Sequence, residues 1–331
     1  MNRKPGLVTG NGLLVFARIV ELSAVHGMDI QTVAMRYALE RFLARVFARD
    51  LPSPADLSLD GASRMEVSQD TLTLKGGLTM FLAEGVHPLM GRSTSDADFH
   101  VAPTMNGSHV EEFVAFLGKA LDRYPGGLDD GLLFDMGTLD IERVKDGNVP
   151  GGKVTVHAQI GKFALKIRSD LAFDSRPVNE RAVIVAYPTL LKGEATPSFE
   201  IRHTPWEFTV ADKVQAMVRH GAGNYRLRDY YDLFVILSKD KVDLARLSDA
   251  LRRTFDLYGS TMPSGVDDVP ALGWDFVERK TPRWDEERKS KNYGDRAPSL
   301  QEVVEFLRGT LDPVFAGMAA EMEAEAAPRP F

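Results

Sequence analysis

The chain has 331 residues, a formal net charge of −7 and no cysteine. That charge excludes a globally basic nucleic-acid binder and confines any such contact to a local patch. The missing thiols exclude a disulfide framework, thiolate metal sites and a cysteine nucleophile. A chain of this length hides roughly 75% of the surface its unfolded form exposes, so a large core needs no covalent staple, and two or three structural units are expected.

From residue 12 to residue 50, apolar side chains recur at helical spacing, among them Ile30, Val33, Ala34, Tyr37, Ala38, Phe42 and Val46, and Asp29 stands where an N-cap belongs. This predicts an amphipathic helical pair with its arginines on the wet face. Arg18 and Glu21 interrupt the apolar run from Leu13 to Val20, and no stretch reaches membrane-spanning length. The expectation is a soluble, cytoplasmic protein without membrane contact.

Pro52, Ser53 and Pro54 mark a loop, after which the hydrophobic period shortens. Leu72 and Leu74 predict a strand, Leu78 to Ala83 a helix, Ala97 to Val101 a strand and Val110 to Leu121 a helix. Alternation then predicts strands over Leu139 to Val144, Lys153 to Gln159 and Phe163 to Leu171, with Ala182 to Val185 adding another. Helices dominate from Pro205 onward: Trp206 to Val218, Arg226 to Leu237 after the Gly221-Ala222-Gly223 break, Leu244 to Leu257, and a long one through Leu300, Val303, Val304, Leu307, Leu311 and Val314. Residues 263–292, rich in Pro, Gly and charge, predict a loop. The organisation is therefore read as 1–70, 71–200 and 201–331.

Two elements carry chemistry. Lys75, Gly76 and Gly77 follow the apolar run at Leu72 and Leu74, and a glycine pair there lets backbone N–H groups approach a phosphate. Arg92 and Thr94 precede Asp96 and Asp98, whose carboxylates point to one face of a strand of period two and suit Mg²⁺. A glycine pair alone is an ordinary turn, and Asp-x-Asp alone an ordinary solvated loop. Their joint occurrence points to a bound metal–triphosphate, with Lys75, Gly76, Gly77, Arg92 and Thr94 as nucleotide-contacting residues.

This pattern resembles the polymerase-β type of nucleotidyltransferase and, within it, the AbiEii/AbiGii toxin family, where Lys-Gly-Gly is followed by Arg-x-Thr-x-Asp-x-Asp. The likeness extends to the helix Tyr37 to Arg45, to Glu207 through Lys213, and to Arg226 through Leu233, covering about residues 10 to 240. It implies an α/β, mixed α+β fold: a nucleotidyltransferase core with a mixed sheet, flanked by an N-terminal helical pair and a C-terminal helical bundle. It departs from the family at Asp212, where Glu usually precedes the lysine, and 18 residues between Gly77 and Asp96 make a longer spacing than usual, which an extra turn around 85–91 would absorb.

Two-metal nucleotidyl transfer needs a third carboxylate on a neighbouring strand. Asp170, read as ending the strand from Phe163, is the candidate, with Asp174 as the competing choice. The resemblance further implies that Lys213 neutralises the triphosphate and that Asp229 orients or deprotonates the acceptor; Asp232, three residues on along the same helix face, reads as a local pairing partner. It implies two Mg²⁺ ions, an NTP substrate, an RNA acceptor such as the tRNA acceptor end, and a toxin of a bacterial toxin–antitoxin or phage-defence system with a cognate antitoxin. The basic residues Lys213, Arg219, Arg226 and Arg228 and the run from Arg279 to Lys291 are compatible with RNA. A protein or small-molecule hydroxyl as acceptor, or a non-catalytic nucleotide-binding module, are the alternatives.

Residues 147–154 nearly match a P-loop, but Val154 replaces the metal-binding Ser or Thr and an alternating pattern follows, which predicts a hairpin. The seven histidines show no paired metal spacing and no Gly-x-Ser-x-Gly elbow occurs, so zinc hydrolase and serine esterase readings lack support.

Overall fold

A computed structural model describes residues 10–48, 69–102, 109–123, 129–146, 149–173, 175–178, 180–193, 196, 198–239, 241–290, 293 and 297–326. The chain divides into two compact units, one of residues 1–79, 87–90 and 94–204, the other of 80–86, 91–93 and 205–331.

The first unit is built on a seven-stranded mixed sheet. Its strands are β1 (Leu72–Lys75), β2 (Asp98–Val101), β3 (Leu132–Asp146), β4 (Val149–Ile160), β5 (Phe163–Phe173), β6 (Val183–Tyr187) and β7 (Phe199–His203), in the order β3-β4-β5-β2-β1-β7-β6. β2 runs antiparallel to β1 and parallel to β5, and β7 runs parallel to β1. β5 alternates without a break: Leu165, Ile167, Ser169 and Leu171 are buried, while Lys166, Arg168 and Asp170 face outward. The near-P-loop is indeed a hairpin, with Asp146 opposite Val149 across residues 147–148.

Helices α1 (Gly10–His26), α2 (Ile30–Val46) and α4 (His109–Leu121) belong to the same unit. Asp29 caps α2 as expected, its carboxylate accepting from the Thr32 amide at 2.9 Å. The wet face expected for the arginines of α2 does not exist. Arg36, Arg41 and Arg45 are buried, as is Glu40. Each cation finds internal partners instead: Arg45 grips Asp130 with both terminal nitrogens at 2.9 and 2.8 Å, Arg41 lies 2.7 Å from Glu40, and Arg36 donates to the Pro88 carbonyl. Arg41 also stacks over Phe199 at 5.5 Å. Burial pushes the Glu40 carboxyl up to about 7, against the pull of Arg41 and the Leu190 amide, which donates at 2.6 Å. Periodicity marks where a helix has an apolar stripe; it does not show that long cationic side chains are drawn inward by acids distant in sequence.

The second unit is helical: α3 (Met80–Glu84), α5 (Trp206–His220), α6 (Leu227–Leu237), α7 (Leu244–Tyr258), α8 (Trp274–Ser290) and α9 (Leu300–Ala326). Asp243 caps α7 at its start, and Gly259 closes it with φ 60° in the left-handed region. Ser299 and Glu302 form a reciprocal capping box ahead of α9. Tyr230 stacks on Phe276 at 5.3 Å, and Phe234 meets Phe306 edge-on at 5.1 Å.

Two expectations fail here and in the sheet. Residues 263–292, expected as a loop, contain two short 3₁₀ turns and then α8, which keeps Pro282 inside it. The missing N–H of Pro282 removes one hydrogen bond. Burying Phe276, Val277 and Trp284, the last donating its indole N–H to the Pro298 carbonyl at 3.0 Å, outweighs that loss. β7 was not expected at all, because its inward positions are Ile201 and His203 and a histidine obscures the alternation.

Candidate active site

The chain leaves β1 at Lys75 and enters a 3₁₀ turn, Gly76–Thr79, closed by the Thr79 hydroxyl donating to the Gly76 carbonyl at 2.9 Å. Gly76 has φ 75°, a conformation side-chain-bearing residues adopt at a cost. A Cβ added there would stand 2.7 Å from Asp98 Oδ2. The glycine therefore leaves room for a carboxylate, a reason beyond the phosphate approach read from the sequence.

β2 begins with Asp98, directly opposite Lys75 in the antiparallel register. Two residues earlier, Asp96 forms a parallel bridge with Arg168, and the Ala97 amide donates to the Arg168 carbonyl at 3.1 Å. This pairing lays the Asp-x-Asp segment alongside β5 and sets Asp170 next to Asp98, whose Oδ1 accepts from the Asp170 amide at 3.3 Å. Asp170 does not end its strand as expected, since β5 continues to Phe173, but it stands on the outward face. Asp174 lies outside the described residues. Thr94 donates its hydroxyl to Asp96 Oδ1 at 2.8 Å, and so orients that carboxylate.

Burial, then the negative charges of Asp96 and Asp170, push the Asp98 carboxyl up to about 7; the Lys75 ammonium and the Asp170 amide oppose the shift. Like charges brought this close favour a cation between them. Among the described residues no group of three or more His, Cys, Asp or Glu side chains already stands in a metal-holding arrangement. The donor chemistry, hard carboxylate oxygens on adjacent strands, nonetheless fits Mg²⁺, and Asp96, Asp98 and Asp170 are the residues that would hold it.

The remaining sequence candidates cluster in the helical unit. Lys213 on α5 donates to Asp229 Oδ1 at 2.6 Å and to Asp232 Oδ2 at 2.8 Å, both on α6. Arg226 donates to the other oxygen of Asp229 at 2.9 Å. Arg92, only 5% exposed, grips Asp232 at 2.7 and 3.1 Å. Arg92 and Lys213 thus converge on a residue the sequence reading gave only a local role: Asp232, fully buried, holds two cations at once. The three-residue spacing from Asp229 on one helix face was its visible signal. Burial works against the charge on Lys213, but Asp229 and Asp232 overcompensate and raise its pKa. Asp229 is likewise penalised by burial yet held below the ordinary carboxylate range by Lys213 and Arg226.

The model of the nucleotidyl transferase AbiEii toxin of a type IV toxin–antitoxin system matches residues 63–306. The chain belongs to the AbiEii nucleotidyltransferase family. That span takes in the glycine turn, the three carboxylates and the Lys213 cluster, and membership makes the protein a nucleotidyltransferase toxin of a toxin–antitoxin pair. Two solved structures are similar to this chain: a proposed nucleotidyltransferase from H. pylori, 13% identical with a TM-score of 0.42 over 90% of this chain and 97% of that one, and JHP933 from Helicobacter pylori, 13% identical with a TM-score of 0.43 over 89% and 97%. No curated protein matches. No helix among the described residues is long and apolar enough to cross a membrane.

Proposed function

We propose that this AbiEii-family protein transfers an NMP unit from an NTP to a hydroxyl of RNA, with the tRNA acceptor end as the favoured acceptor, in a Mg²⁺-dependent reaction. One observation carries the reading: Gly76 opens space for Asp98 beside Asp170 and Asp96, so three carboxylates adjoin a glycine turn suited to phosphate. A new bond forms between the acceptor oxygen and the α-phosphorus, the α–β bridging bond breaks, pyrophosphate leaves, and the acceptor proton is released. Mg²⁺ held by Asp96, Asp98 and Asp170 would supply charge stabilisation for the transfer.

The chain's own residues bind and orient. Asp96, held by Thr94, joins Asp98 and Asp170 as the anionic wall. The turn at Gly76 and Gly77, with Lys75 beside it, takes phosphate oxygens. Lys213 donates to Asp229 and Asp232, and the family likeness gives it the triphosphate as its charge partner in the reaction. Asp229, held below the ordinary carboxylate range by Lys213 and Arg226, is a weak base and orients the acceptor rather than deprotonating it. Arg92 acts through Asp232. The family supports a cognate antitoxin as partner and the cytoplasm as the place of action.

RNA is favoured over a protein or small-molecule hydroxyl because Arg219, Arg226 and Arg228 are exposed around one helix junction of an otherwise acidic protein. Incubation with each α-labelled NTP, total cellular RNA and total cellular protein tests this. Label on RNA is expected, and Lys213→Ala should slow its appearance by roughly 10²-fold, the scale of losing one electrostatic stabiliser. Label only on protein or on a small hydroxyl compound would discard the RNA acceptor and keep the transferase.

A further inference from the structure

The junction between α5 and α6 carries an aromatic ring that the transfer chemistry does not use. Tyr225 is 60% exposed, although a tyrosine ring left in water forgoes much favourable burial. The backbone on either side of it is anchored: Asn224 and Leu227 are buried at 1% exposure, and Asn224 Oδ1 accepts the Arg226 amide at 3.0 Å. The ring is therefore held outward by fixed neighbours. His220, at the end of α5, lies against it with centroids 6.0 Å apart at 51°. The ring is thus braced from one side, and the guanidinium of Arg226, half exposed at 51%, and that of exposed Arg228 follow within three residues.

We infer that Tyr225 is a stacking platform for an unpaired base of the RNA acceptor, with Arg226 and Arg228 taking the adjoining phosphates. The inference rests on the RNA reading above and narrows it to a single-stranded segment. An exposed aromatic face offers a base something only when that base is free of its own stack, and sequence-tolerant stacking of this kind beside cations is how single strands are held. Duplex RNA, whose bases are already stacked, would meet only the arginines. The same α6 begins at Leu227 and carries Asp229, which binds Lys213, so the platform lies four residues along the chain from a member of that cluster.

The test is equilibrium binding of a fluorescein-labelled single-stranded RNA oligonucleotide, and of the blunt duplex of the same sequence, to the full chain at several salt concentrations. Tyr225→Ala should weaken single-strand binding by roughly tenfold with an unchanged salt slope, Tyr225→Phe should retain it, and duplex binding should not respond to either. Arg226→Glu with Arg228→Glu should instead lower the salt slope. Because Tyr225 is exposed, unchanged melting curves are expected and would exclude misfolding as the cause. Single-strand binding by the wild type that ignores Tyr225→Ala, or that falls equally in Tyr225→Phe, overturns the platform alone. Absence of any RNA binding by the wild type overturns the RNA acceptor itself, and the platform with it.

Discussion

Gly76 and Asp98 occupy mutually exclusive space: a Cβ on the glycine would reach within 2.7 Å of the Asp98 carboxylate. Contacts that short do not persist, and the φ of 75° adds a backbone penalty of about 1–2 kcal/mol for alanine. Gly76→Ala should therefore displace Asp98 and cut transfer by about 10²-fold or more while lowering stability by about 1–2 kcal/mol. Rates with labelled NTP, read beside melting curves, check this; a folded Gly76→Ala protein with wild-type rate would show that the clash is relieved at no cost to the site.

Asp98 also gives the metal-free protein a definite pH response. Its carboxyl is pushed up to about 7 in the folded state from an ordinary value of 3.8, so the folded form holds the proton more tightly than the unfolded one. The stability that follows is complete below about 4 and is lost as pH rises through about 7. Tm of the metal-free protein should fall across that window by more than it does in Asp98→Asn. The comparison must be with the variant, because Glu40, also pushed up to about 7, contributes with the same sign. Identical pH profiles for the two proteins would contradict the burial and charge crowding assigned to Asp98.

Asp232 should be the most costly residue of the helical cluster to remove. Asp232→Ala leaves Arg92 and Lys213 without the carboxylate that both grip, and stranding a buried charge costs about 3–5 kcal/mol. Asp229→Ala should cost less, since one of its two partners, Arg226, is half exposed and can turn to water. Urea unfolding of both variants gives the comparison, and a loss below about 1 kcal/mol for Asp232→Ala would contradict the hub.

Much of this was legible in the sequence where local chemistry decides the outcome. The glycine turn, the Asp-x-Asp pair and the cap at Asp29 are short-range devices, and the hairpin across 147–148 follows from alternation on both sides. What the sequence concealed depends on partners distant along the chain. Arg45 is buried because Asp130 lies 85 residues away, and Arg92 meets Asp232 across 140 residues. The roles first read for Arg92 and Thr94 as direct nucleotide contacts likewise omit what their side chains hold in the structure, Asp232 and Asp96. Helix α8 was concealed by one proline and a charged surface that outnumber its buried Phe276 and Trp284.

The central claim is that Asp96, Asp98 and Asp170 form a metal-dependent nucleotidyl-transfer site, and Asp96→Asn tests it most directly. The substitution keeps size and shape but removes one hard anionic ligand, so the folded variant should lose nearly all Mg²⁺-dependent transfer of label from an α-labelled NTP to RNA, while the wild type loses it only when Mg²⁺ is chelated. Transfer by folded Asp96→Asn at the wild-type rate, or wild-type transfer that persists under full chelation, would contradict the account.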